Sequence, residues 1–202
     1  MEVNVMARLF VGGACNVGKG AICHSVAGTI RSLKQGQVVR VIEDPVERAS
    51  QEHGFTFDSF VVSRIYVRAP QAGLSMIYRA IDLMSEGEPE DIVLVNESPL
   101  AILGYMTFYG FLACVSLKER TKLIEVLINL ATLPESRHLF IQPWKSQRPS
   151  RLARALNISI MPFISIAGGR GEILPAQDDR NATVKQGALE ALNLLGIHGG
   201  EA

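Results

Sequence analysis

Apolar positions along the chain fall into short continuous runs and longer segments with a helical repeat. Residues 7–12, centred on Leu9, Phe10 and Val11, read as a buried strand. Residues 20–33 follow with Ile22, Val26, Ile30 and Leu33 at helical spacing. A turn at 34–37, with Gly36 as C-cap, precedes a second strand at 38–42. Residues 57–67 mix aromatic and β-branched side chains, and a helix is the preferred reading there. The pattern predicts a helix at 72–84 and a short, wholly apolar strand at 92–95. Pro99 at a first helical position opens a helix to about residue 114. Ser116 and Glu119 form a capping box for a helix that stops before Pro134. Further on, the pattern predicts a strand at 138–142 and a basic helical stretch at 148–156. A fifth strand at 158–167, interrupted by Pro162, and a terminal helix at 182–195 capped by Asn181 complete the series.

Short apolar strands alternating with helices predict a parallel sheet covered on both faces, an α/β fold of three layers. The length of 202 residues suggests one domain. At 48% hydrophobic residues the chain can bury a sizeable core. The 20 basic and 20 acidic residues cancel, which argues against a broad nucleic-acid surface. No apolar run reaches the roughly 18 residues a membrane span requires, so no membrane association is expected. The opening residues show no signal-peptide pattern. Cys15, Cys23 and Cys114 lack metal-ligand spacing and read as reduced thiols of a cytoplasmic protein. The helix at 100–114 is apolar nearly all round; it is either fully buried or part of a subunit interface, as in a homodimer.

The segment richest in chemistry is Gly13, Ala14, Cys15, Asn16, Val17, Gly18, Lys19 and Gly20, between the first strand and the first helix. Small residues there let backbone N–H groups curl around a polyphosphate, and the lysine reaches its outer phosphates. The helix N-terminus adds unpaired donors and the positive end of its dipole. The spacing fits Gly-x-x-x-x-Gly-Lys-[Ser/Thr] except at the last position. There Gly20, followed by Ala21, replaces the hydroxyl that ordinarily binds Mg²⁺.

In open parallel sheets, ligands bind beyond the carboxyl ends of the strands. The second strand ends in Glu43 and Asp44, the third in Asn96, Glu97 and Ser98. A carboxylate placed there can take a proton from a substrate hydroxyl or hold Mg²⁺ through water, the role open to Glu97. Either carboxylate can instead cap the next helix. Arg148, Arg151 and Arg154 recur every third residue just after Lys145, and can neutralise transferring phosphates as a lid at 145–156 closes. The alternative is a solvated basic face. Arg64 and Arg68, with Tyr66, Phe57 and Phe60, are candidates for an acceptor pocket, or simply part of the core.

These residues resemble the small P-loop kinases of nucleosides and nucleoside monophosphates. The loop ending Gly18-Lys19-Gly20 is similar to that of adenylate kinases. Residues 41–46, with Glu43, Asp44 and Pro45, resemble the strand-two Glu-Pro-Val segment of deoxynucleoside kinases, whose glutamate is the base. Asn96, Glu97, Ser98 and Pro99 fall where those enzymes carry an Asp-Arg-Ser or Glu-Arg-Ser motif, without its arginine, and the chain as a whole resembles the group that also holds the thymidylate kinases. Arg148 to Arg154 fall in the place of the lid, and Gly168 to Gly171 in that of the adenine-contacting loop. The resemblance implies a P-loop NTPase fold with a mainly parallel five-stranded sheet, and phosphoryl transfer from ATP with Mg²⁺.

The expected function is therefore an ATP-dependent kinase for a nucleoside, nucleotide or similar acceptor. Gly13 to Ala21 would cradle the nucleotide. Lys19 would hold its outer phosphates, and Glu43 or Asp44 would act on the acceptor. Arg64, Arg68, Glu97 and Ser98 would bind substrate. The rival expectation is a nucleotide-dependent switch or assembly ATPase of the partition or accessory type, with no small-molecule acceptor. A degenerate fold that binds a nucleotide without turnover is a third.

Overall fold

A computed structural model describes residues 7–14, 16–34, 36–145 and 151–197, with backbone alone for 151–153. Five parallel strands form one sheet: β1 (Ala7–Gly13), β2 (Val39–Ile42), β3 (Ile92–Val95), β4 (Ser136–Ile141) and β5 (Gly171–Leu174), in the order β2-β3-β1-β4-β5. The central strand β1 is held on both sides, Phe10 opposite Val95 of β3 and opposite His138 of β4.

Alternation along the strands makes two separate cores. Leu9, Val11, Leu94, Leu139 and Ile141 pack against α1 (Lys19–Leu33) and α9 (Arg180–Leu194). Phe10, Val93, Val95 and Phe140 face the opposite layer. That layer holds α5 (Pro70–Ser85), α6 (Pro99–Phe108), α7 (Leu117–Thr132) and α8 (Arg151–Ile164). The fold is thus α/β/α. Three short helices, α2 (Pro45–Glu52), α3 (Phe57–Val62) and α4 (Ile65–Arg68), lie between β2 and α5 in the chain.

Local chemistry explains most boundaries. Ser116 and Glu119 exchange the two bonds of a capping box at the start of α7. Pro99 occupies the first turn of α6, with Ser98 as its cap. Arg8, buried within β1, donates to the carbonyls of Met84, Ser85 and Glu86 and so satisfies the C-terminal end of α5. Helix α6 is buried from Pro99 to Met106, which answers its all-round apolarity: it lies inside the fold, between the sheet and its neighbours. Gly104 permits the approach of α8, since a Cβ there would stand 2.7 Å from Ile160 Cγ1.

Several sequence expectations need correction. Residues 158–167 are not a strand. Most of them belong to α8, where Leu156 and Ile160, four apart, are buried while Ile158 is exposed. The fifth strand is Gly171–Leu174, beyond the segment expected to form it. Gly168 to Gly171 therefore lead into β5 rather than follow it. The last helix begins two residues earlier than expected, because Asp179 rather than Asn181 caps it by accepting from Ala182 N–H. Residues 57–67 are two helices, broken where Arg64 turns left-handed at φ 50°. Helix α6 stops at Phe108, ahead of Gly110 at φ 72°.

Candidate functional site

Strands β1 and β3 are neighbours, yet β1 leads to α1 on one face and β3 to α6 on the other. Their carboxyl ends thus open a crevice, the place where open α/β sheets receive ligands.

The loop after β1 forms one wall. It needs unusual backbone angles: Gly13 at φ 141°, Asn16 at 62° and Gly18 at 92°. At Gly13 a Cβ would stand 2.6 Å from the carbonyl oxygen of Ile141, so only glycine fits. Ala14 and Val17 are buried beneath the loop. Gly18 is the N-cap of α1 and gives no side-chain cap, which leaves the first-turn N–H groups of the helix for another acceptor. Cys15 lies outside the described residues. No side chain at Gly20 or Ala21 carries a hydroxyl. A Cβ at Gly20 would stand 3.3 Å from Asn96 Nδ2, so the Asn96 amide occupies the space beside that position.

Lys19 turns back across the loop. Its ammonium donates to Gly13 O at 3.1 Å and to Glu97 Oε2 at 2.9 Å. Tyr105 of α6 donates to the same Gly13 carbonyl at 2.8 Å. The other oxygen of Glu97 accepts from Ser98 N–H at 3.0 Å. Burial pushes the Glu97 carboxyl up from the usual range, and the Lys19 ammonium works against that shift.

A cleft of about 500 Å³ lies beside this pair. Its polar wall includes Asn16, Lys19, Asp44, Glu47, Asp58 and Glu97. Phe57 and Tyr105, ring centroids 6.4 Å apart, supply an aromatic side with Val46. Asp44 sits at a left-handed φ of 39° between β2 and α2, and its Oδ1 accepts from Asn96 Nδ2 at 2.9 Å. Glu47, in the first turn of α2, accepts from Phe57 N–H at 2.9 Å and so fixes the start of α3 over the cleft.

The structure brings together Asn16, Lys19, Asp44 and Glu97 of the expected site and places Glu43, Arg64, Arg68, Ser98 and Arg154 elsewhere. Glu43 turns to the other side, exposed and 2.8 Å from His24 Nε2, and does not line the cleft. Arg64 and Arg68 line a separate surface depression with Val62 and Val67. Phe60 and Tyr66 are core. Ser98 is fully buried, where its hydroxyl accepts from Leu100 N–H and lies 3.3 Å from His138 Nδ1. His138 Nε2 meets the Ala131 carbonyl at 2.9 Å. A carbonyl only accepts, so Nε2 carries the proton and Nδ1 accepts from Ser98. Arg148 lies outside the described residues, as does the side chain of Arg151. Arg154 is exposed on α8 and not part of the cleft lining. Lys145 pairs with Asp178 at 2.8 Å. Glu47, Thr56, Phe57, Asp58 and Tyr105 complete the lining; of these only Phe57 is visible as a candidate in the sequence.

Among the described residues no helix is long and apolar enough to cross a membrane, and no three His, Cys, Asp or Glu side chains converge as a metal cluster. No protein-family model matches the chain, and no curated protein sequence matches it.

Proposed function

We propose that the chain is a cytoplasmic P-loop kinase that transfers the γ-phosphate of ATP to a nucleoside, nucleotide or similar small acceptor. The observation that carries this reading is the position of Lys19: its ammonium closes a glycine loop at a helix N-terminus and faces a cleft large enough for a second molecule. Phosphates entering the loop would meet the N–H groups of α1 and take Lys19 from Glu97. Mg²⁺ accompanying the nucleotide would neutralise phosphate charge, held by Glu97 through water.

Asp44 is the better acceptor-facing base than Glu43, because Asn96 orients it and it lines the cleft. The acceptor oxygen attacks the γ-phosphorus, its proton passes to Asp44, and the bond to the β-phosphate oxygen breaks with Lys19 stabilising the departing charge. Incubation with ATP, Mg²⁺ and a panel of nucleosides and monophosphates tests the reading by acceptor-dependent ADP release. ADP release with no acceptor dependence favours the second reading, a nucleotide-dependent switch. The loop without a hydroxyl at Gly20 and Ala21 is the observation on its side. Release of no ADP under either condition contradicts both.

A further inference from the structure

From the charge and shape of the cleft we infer that the acceptor presents hydrogen-bond donors, hydroxyl or ammonium, on a flat apolar ring, and that phosphomonoesters are rejected. The inference rests on the kinase reading and narrows its acceptor. Asp44, Glu47, Asp58 and Glu97 line the cleft. Ionised carboxylates only accept hydrogen bonds. A phosphomonoester offers acceptors and negative charge as well, so each close approach would pair oxygen with oxygen.

The cation among the described lining residues is Lys19, and it is already engaged by Gly13 and Glu97 on the loop side. Arg64 and Arg68, the arginines best placed in sequence to receive an acceptor phosphate, line a different depression. The ring requirement comes from the aromatic part of the lining. Phe57 and Tyr105 stand at 45° to one another, and both also line a small apolar pocket with Met76, Ile77 and Met106. A flat ring fits against such a wall while its donors face the carboxylates.

A series with one ring and different ends tests this: benzyl alcohol, benzylamine and benzyl phosphate, titrated at millimolar concentration and followed by the NMR resonances of the Phe57 and Tyr105 rings. The alcohol and the amine should shift both rings, with benzyl phosphate weaker by about tenfold or more. The probes are compared at the two rings alone, because Asn16 and Lys19 belong both to the loop and to the cleft lining. In an Asp58→Asn variant, which alters an exposed side chain, the preference against benzyl phosphate should shrink. Equal or tighter binding of benzyl phosphate at the two rings, no response of the rings to any probe, or an unchanged preference in the variant would overturn the inference. The series is read without nucleotide. Failure of the kinase reading shows separately, as absence of ATP-analogue binding at residues 13–20.

Discussion

Lys19 Nζ and Glu97 Oε2 lie 2.9 Å apart, and both side chains are about nine-tenths buried. The phosphate-binding reading makes this pair a competitor for the nucleotide, since the same ammonium must serve the phosphates. Glu97→Gln removes the negative partner and keeps the shape. The variant should bind a non-hydrolysable ATP analogue several-fold more tightly in the absence of Mg²⁺, a gain of roughly 1 kcal/mol. Calorimetric titration of the two proteins checks it; equal affinities would mean that the pair does not oppose binding.

His138 makes stability depend on pH. Its imidazole is fully buried, and burial pushes its pKa down from 6.5 to about 4. The folded state therefore holds it neutral while the unfolded chain takes up a proton below 6.5, so stability present above 6.5 is lost as pH falls towards 4. At about 1.36 kcal/mol per pH unit, the fall from 6.5 to about 4 corresponds to about 3 kcal/mol. Glu97 contributes the opposite slope, because its carboxyl is raised. Urea unfolding across pH 7 to 4.5, about the range above most carboxylates, should show a smaller acid-side loss in His138→Gln than in the natural chain. Parallel slopes would contradict the assignment.

The contact between α6 and α8 sets a size limit. Gly104→Ala would drive a methyl against Ile160, whose backbone N is also only 3.1 Å from the Cβ position. The expected cost is about 1–3 kcal/mol. Gly28→Ala, in α1 where nothing lies within 4 Å, should instead stabilise by about 0.5–1 kcal/mol. Urea midpoints of the two variants should move in opposite directions.

Asp179→Ala should cost about 1 kcal/mol by removing the bond to Ala182 N–H. Asn181→Ala, at an exposed position inside α9, should stay within about 0.5 kcal/mol of the natural chain. Thermal unfolding of both variants locates the start of the helix.

Features carried by contiguous residues were the ones legible in the sequence. Strand β3 and the Leu9–Val11 centre of β1 are continuous apolar runs, the turn at Gly18 and Lys19 sits between a strand and a helix, and the Ser116–Glu119 box is local. What misled was local composition without context. Residues 158–167 are rich in isoleucine and other apolar side chains, like a strand, but Leu156 and Ile160 must face α6, and the helical period wins. The true edge strand leaves Glu172 and Ile173 exposed and so has no apolar run to read. The acidic side of the cleft was half visible. Asp44 stands at a strand end, whereas Glu47 and Asp58 belong to short helices whose placement depends on tertiary bonds such as Glu47 to Phe57. Glu43 and Asp44 are adjacent in sequence, and the left-handed turn at Asp44 sends one carboxylate to His24 and the other to the cleft.

The most direct measurement is a calorimetric titration of a non-hydrolysable ATP analogue with Mg²⁺ into the natural chain and into Lys19→Ala. Saturable binding by the natural chain, lost or weakened by about a hundredfold in the variant, roughly 2.7 kcal/mol, is the predicted result. Equal affinity in the two proteins, or no binding by the natural chain, would contradict a phosphate-binding role for the loop between Gly13 and Lys19.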